Sequence, residues 1–304
     1  MNLMRSIGFV VPALSLLLGA ACSEFSHVDS DSQSQRSFGQ PTLAGKLTAV
    51  KEVDECSGLA RSLLREGSYY VHNDSGDPPR FWRIDLGGNV AGPFELEGAQ
   101  AFDWEDCSSA EVGGKPYLFF ADIGDNLAVR KSVTVHRVEE SKDLPDKITR
   151  FESFVLEYPD GARDAEAFLV DPRSGDWWVV SKSSKSPSRA YRVRSANQTP
   201  GTTIKMEFVA ELKSLTALGQ PLLLTGGDFS PDGDWVSLRG YFSAHEFPVP
   251  ESRDWTAGSP QRIAIAIEAQ GEAIAYSLDG KWLITASEGV PCAVSKVEIS
   301  PNRK

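Results

Sequence analysis

Short apolar runs rich in Val, Ile, Leu, Phe, Tyr and Trp alternate along this chain with clusters of Gly, Asp, Pro and Ser. Such runs, bounded by turn residues and without long stretches of helical period, predict an all-β fold. Five segments share one layout: a polar or acidic opening, a short strand, a glycine turn, then an aromatic-rich strand ending in polar residues. They read ECSGLARSLLREGSYYVHNDSG, DWEDCSSAEVGGKPYLFFADIGDN, DAEAFLVDPRSGDWWVVSKSS, TGGDFSPDGDWVSLRGY and GEAIAYSLDGKWLITASEG. Their turn glycines, Gly67, Gly114, Gly175, Gly233 and Gly280, stand 47 to 61 residues apart. A tight hairpin turn needs positive φ, which glycine adopts freely.

A period of roughly 40–50 residues built from short strands predicts a β-propeller. The repeat gives five blades. A sixth would need about 45 more residues, more than the two long intervals can spare, and six is the alternative. The surplus falls in polar segments such as EESKDLPDKITR (139–150) and the Ser/Lys run from Ser181 to Ser188. The two chain ends together supply about one further period. The N-terminal strand TLAGKLTAV (42–50) is therefore expected to complete the last blade beside CAVSKVEI (292–299), removing a free sheet edge.

The first residues change the picture from fold to location. Arg5 followed by an apolar run from Ile7 to Leu18 and then Gly19, Ala20 and Ala21 predicts a signal peptide over 1–21. LLLGAAC is similar to a bacterial lipobox, making Cys22 a candidate lipidation site; ordinary cleavage near Ala21 is the alternative. Residues 22–41 are Ser-rich and poor in large apolar side chains, which predicts a flexible tether. A single propeller domain is expected over 42–304. The expectation is an exported, monomeric protein, lipid-anchored at the cell envelope (periplasm or cell surface) and touching the membrane through its anchor only. With 31 Lys plus Arg against 42 Asp plus Glu, a net charge of −11, the chain is unsuited to nucleic acid. Besides Cys22 it carries Cys56, Cys107 and Cys292. A Cys56–Cys107 bridge and three buried thiols are both open, and no zinc-type cluster is present.

Propeller geometry gives the acidic residues a meaning. In each blade the start of the inner strand and the end of the second strand open on one face. Asp103, Glu105, Asp106, Asp122 and Asp125 are thus expected around one mouth of the central channel, with Asp164, Glu166, Glu272 and Glu288 from other blades. Carboxylates so gathered repel unless a cation intervenes. Oxygen ligands without His or Cys suit Ca²⁺ or Mg²⁺. The candidate Ca²⁺ ligands are Asp103, Glu105, Asp122, Glu166, Glu272 and Glu288. Asn73, Asp74, Lys182, Arg239 and Tyr241 are candidate ligand-binding residues. Lys182 and Arg239 read either as counter-ions or as receivers of an anion. Asp232 and Asp279 read as turn residues, and Trp177, Trp178, Trp235 and Trp282 as packing between blades. No catalytic set is assigned; His72 is the one histidine placed for acid–base work. Neither G-x-S-x-G nor H-E-x-x-H occurs.

FDWEDCSSA, FADIGDN, YPDGARDAEAFLVDP, FSPDGDWVSLRGY and QGEAIAYSLDGKWLITASEG together resemble a group of uncharacterised secreted bacterial β-propeller lipoproteins. More distantly they resemble the phytase-like propeller superfamily. The first resemblance implies fold and location, and the second implies calcium-dependent phosphomonoester hydrolysis. Two functions follow as expectations. One is a surface-tethered module whose acidic, Ca²⁺-holding mouth binds a small anionic ligand or a protein partner. The other is a calcium-dependent phosphoesterase or lactonase.

Overall fold

The computed structural model describes residues 36–48, 52–217, 219–268 and 270–300. The expected signal peptide and Cys22 lie outside them. The described chain is a five-bladed β-propeller, each blade an antiparallel sheet of four main strands. Blade 1 is Cys56–Arg61, Ser68–Asn73, Arg80–Asp85 and Val90–Leu96 from centre to rim. Blade 2 is Trp104–Val112, Lys115–Asp122, Val133–Glu139 and Glu152–Glu157. Blade 3 is Ala165–Val170, Trp177–Ser181, Arg189–Val193 and Glu207–Glu211, and blade 4 is Leu224–Phe229, Trp235–Gly240, Ala244–Pro248 and Gln261–Ile263. Blade 5 is Gly271–Tyr276, Trp282–Ser287 and Cys292–Ser300, completed by Thr42–Leu47 from the N-terminal side.

That completion closes the ring as the sequence suggests. Thr42–Leu47 runs antiparallel to Cys292–Ser300 in register Leu47 to Cys292, and Leu47 joins the apolar core between blades 5 and 1. The chain is ordered earlier than the expected tether boundary at residue 41. Ser37–Phe38 also pairs with the last strand, and Arg36 contacts Glu246. The five turn glycines all have positive φ, between 69° and 77°. The long intervals are not wholly loop. Lys147–Ile148 adds a parallel edge strand to blade 1, and Thr203–Lys205 does the same for blade 2.

The core is divided into five apolar clusters, one at each interface between neighbouring blades. Trp177 packs edge-on against Phe119 and Phe154 of blade 2, and Trp178 tilts against Trp255 of blade 4. Such aromatic pairs add about 0.5–1.5 kcal/mol each beyond area burial. Trp235 and Trp282 are half-buried, under Arg36 and Lys296 respectively. Cys56, Cys107 and Cys292 are free thiols buried in these interfaces, so the Cys56–Cys107 bridge is not formed.

Two buried charged groups pin the blades across the axis. Asp106 accepts backbone N–H bonds from Cys107 (2.8 Å), from Phe168 of blade 3 (2.9 Å) and from Gly227 of blade 4 (3.2 Å). It belongs to the interior of the ring and not, as its place in the sequence suggested, to the mouth. Arg61 of blade 1 meets Asp228 of blade 4 at 2.6 Å, and Asp228 also accepts from the Tyr276 N–H of blade 5.

Candidate metal centre at the channel mouth

One local irregularity recurs in all five blades. Where the inner strand begins, its register with the second strand slips by one residue: between Cys56 and Gly58, Trp104 and Asp106, Ala165 and Ala167, Leu224 and Gly226, and Gly271 and Ala273. The residues passed over are Ser57, Glu105, Glu166, Thr225 and Glu272. A bulge leaves its extra residue unpaired and re-aims its side chain. The ring therefore presents three glutamates and two hydroxyls at one level. The hydroxyls tie neighbouring bulges together: Ser57 Oγ donates to the Glu105 carbonyl (2.8 Å) and Thr225 Oγ1 to the Gly271 carbonyl (3.0 Å).

Around this ring, carboxylate oxygens of Asp74, Asp103 and Glu105 lie within 4.8 Å of one another, as do those of Glu105, Asp164 and Glu166. Glu105 is common to both groups and is 3 % exposed. Among the described residues no side-chain or backbone donor bonds its carboxylate, whose oxygens keep a little access to the mouth, and Asp103 Oδ1 beside it is fully buried without a partner. Gly124 makes the space. A Cβ there would collide with the Glu105 and Asp103 carboxylates.

The electrostatics record the crowding. Burial, with Glu166, Asp74 and Asp103 nearby, pushes Glu105 well above the usual carboxylate range. Burial with Asp74 and Asp164 pushes Asp103 up to about 7. Glu166 rises to about 8 through burial, although Lys182 opposes the shift. Glu288 rises to about 7 through burial and its neighbours Glu272 and Asp74, and Glu272 and Asp74 rise chiefly by burial. Lys182 Nζ sits 2.8 Å from Glu166 and 3.2 Å from the Tyr241 hydroxyl. Burial works against the charge on Lys182, but Glu166 and Tyr241 hold it firmly protonated. One ammonium does not offset this many acids. Beside Asp164 and Lys182 a cavity of about 140 Å³, bordered by Arg163 and Ser183, leaves room for a ligand.

The mouth thus gathers Asp103, Glu105 and Glu166 among the expected cation ligands, with Glu272 and Glu288 on the same rim. It also holds Asp74, Lys182 and Tyr241. Asp122 does not join them: its carboxylate accepts from the Phe102 and Asp103 N–H groups and pairs with Arg130 at 2.7 Å. It positions Asp103 instead of ligating. Asp125 is likewise engaged, by the Arg130 N–H. Asn73 braces the preceding loop through the Glu52 carbonyl and the Glu55 N–H. Arg239 is fully buried, donating to the Ala273 and Ala286 carbonyls and to Glu268, so it locks blade 4 to blade 5 and does not reach the rim. His72 stacks edge-on against Trp104 and Phe120, and burial lowers it to about 4, which keeps it neutral and away from acid–base work at the mouth.

The sequence placed Asp164 at the mouth but not among the cation ligands, and did not single out Gly124 and Arg130 at all. Asp164 stands two residues before Glu166, and the repeated acid-x-Glu spacing of Asp103-Trp104-Glu105 and Asp164-Ala165-Glu166 was the available signal. Gly124 and Arg130 gave none, because their roles depend on where the loop after Asp122 folds back. Taken together, these groups of acidic residues could hold a metal ion.

No family model matches the chain, and no curated protein matches it. Among solved structures, a gluconolactonase from Xanthomonas campestris aligns at 12% identity with a TM-score of 0.44, over 80% of this chain and 72% of that one. The WD40 repeats of RRP9 align at 11% identity with a TM-score of 0.42, over 80% of this chain and 67% of that one. Both likenesses are remote in backbone and in sequence, and the chemistry of the mouth is read from its own residues.

Proposed function

We propose that the channel mouth is a Ca²⁺ site and that the propeller uses it to bind a small ligand through an anionic or carbonyl oxygen. The observation that supports this most is Glu105, a carboxylate 3 % exposed and without a donor among the described residues, shared between two triads of acids beside the orphaned Asp103 Oδ1. An isolated buried carboxylate is costly, and a cation is the partner that removes the cost. Asp103, Glu105, Asp164 and Glu166 would hold the ion, with Asp74 at the edge. An all-oxygen set excludes the soft metals, and a crowded, irregular carboxylate cage suits Ca²⁺ better than Mg²⁺, which keeps its waters and takes one or two carboxylates. Lys182 and Tyr241 would meet the ligand's oxygen beside the ion.

A second reading, hydrolysis of a phosphate ester or lactone, is favoured by Lys182 and Tyr241 specifically. Beside a bound cation, both could donate to negative charge developing on a scissile group. A bound cation would supply Lewis-acid polarisation of that group. The same proposal keeps the protein at the cell envelope, exported and held by Cys22 through the Ser-rich segment, on the strength of the first 22 residues. A Cys22→Ser variant that still partitions with membranes would remove that part.

Calorimetric titration with Ca²⁺, repeated on Glu105→Gln and Glu166→Gln, tests the site. The expectation is one ion per chain with at least tenfold weaker binding in each variant. No heat and no shift in melting temperature for the wild type would overturn it. A screen of phosphomonoesters, phosphodiesters and lactones separates the two readings: chelator-sensitive turnover lost in Lys182→Met marks an enzyme, and silence with calcium-dependent stabilisation marks a binding module.

A further inference from the structure

Tyr241 belongs to two places at once. Its hydroxyl lies 3.2 Å from Lys182 Nζ, in the mouth. Its side chain also lines a cavity of about 630 Å³, together with Pro221, Leu222, Leu223, Phe242 and Arg262. That volume falls within the range of small-molecule sites, and the lining is mainly aliphatic and aromatic. One wall is firm: Leu222 is 6 % exposed and part of the core between blades 3 and 4. Another is held by a short hairpin in which Thr216 pairs with Pro221. Phe242, beside Tyr241 at a ring distance of 6.3 Å, stays 69 % exposed. A large aromatic left in water next to an apolar hollow gains by being covered.

The two ends of this arrangement differ in chemistry. The mouth end offers Lys182 within a crowd of acids, which repels a polyanion but accepts a neutral carbonyl or a single negative charge. The cavity offers apolar walls with few polar groups. We infer that the ligand is an amphiphile: a carboxylate or ester head at Lys182 and Tyr241, and an acyl or alkyl arm running into the cavity along the Tyr241 ring. This rests on the mouth being the ligand site proposed above, and it adds the class of molecule. A sugar phosphate or other fully polar ligand would leave the cavity without an occupant.

The test uses the Ca²⁺-loaded full-length protein and alkyl carboxylates from butanoate to decanoate, below their critical micelle concentrations, titrated by calorimetry. Each methylene removed from water strengthens binding about fourfold, so affinity should climb steadily with chain length until the cavity is full. Thr216→Trp, an exposed position chosen to fill the cavity without disturbing the core, should flatten that climb to under twofold per methylene. Phe242→Ser should weaken the long-chain members at least fivefold and leave butanoate unchanged. Both variants should keep the wild-type response to Ca²⁺ alone. A flat series in the wild type, or a climb that survives both variants, overturns the inference. A normal climb without any response to Ca²⁺ supports the amphiphile and instead refutes the cation site, so the two failures are told apart.

Discussion

Asp106→Ala would remove a carboxylate that joins blades 2, 3 and 4 at the axis. Two N–H groups from other blades, Phe168 at 2.9 Å and Gly227 at 3.2 Å, would lose their acceptor in a fully buried place. An orphaned buried donor costs about 1–3 kcal/mol, so the pair costs about 2–6 kcal/mol before any cavity is counted. At about 2–4 °C per kcal/mol for a domain of this size, the melting temperature should fall by about 4–24 °C. Asp106→Asn separates shape from charge. Burial pushes the Asp106 carboxyl well above its usual range, against three backbone N–H groups that favour its charge, and asparagine keeps the shape while removing the charge. The amide oxygen can take both inter-blade bonds, but the amide nitrogen then faces the Cys107 N–H that the other carboxylate oxygen accepts, so the loss should be about 1–3 kcal/mol, below that of alanine. The sign with pH follows from the raised value. In the wild type the folded state binds more protons than the unfolded chain above the ordinary aspartate pKa, so its stability falls as pH rises. Asparagine lacks that slope, and the gap between the two proteins should narrow from pH 5 to pH 8. Urea unfolding at both pH values measures all of this. An Asp106→Ala protein within about 1 kcal/mol of wild type, or an asparagine variant as damaged as alanine, would refute the reasoning.

Three further outcomes follow from the mouth and its supports. Gly124→Ala places a methyl group against Glu105 and Asp103 and should weaken Ca²⁺ binding at least tenfold by calorimetry, with loss of stability limited to about 1–3 kcal/mol. Arg239→Met takes the guanidinium from two buried carbonyls and from Glu268, which keeps only Thr285 as donor, and should cost about 3–5 kcal/mol in urea unfolding, while the calcium affinity of the folded protein is unchanged. The metal-free protein should lose stability between about pH 4.5 and pH 8, as Asp103 (about 7) and Glu166 (about 8) ionise in a site that opposes it. Added Ca²⁺ should raise the melting temperature more at pH 8 than at pH 5; a larger rise at pH 5 would contradict the site.

What the sequence made legible was what depends on local rules. A glycine turn of positive φ between two strands is a short-range requirement, so Gly67, Gly114, Gly175, Gly233 and Gly280 revealed the blade count. The fragments at the two ends revealed the closure. The site was legible at the resolution of a rim. What remained hidden was the direction of individual side chains along the second strands. Asn73 and Asp122 occupy one register position, opposite the residue before the bulge, and both turn back to hold the loop that leads into the inner strand. His72 and Arg239 come one residue earlier, each opposite a glycine, Gly58 and Gly226, and both are buried between blades. The next residue after the strand end, as in Asp74, Lys182, Tyr241 and Glu288, is the one that reaches the mouth. Period-two alternation makes a shift of one residue decisive, and a bulge moves the count without leaving a mark in the sequence.

A crystal of the full chain grown with calcium tests the central claim most directly, through its anomalous signal near the ring of bulges. The account predicts one ion bonded to Glu105, with oxygens of Asp103, Asp164 and Glu166 completing the protein's share. Density at the mouth showing those four carboxylates without an ion, at calcium concentrations a hundredfold above the protein, would contradict it.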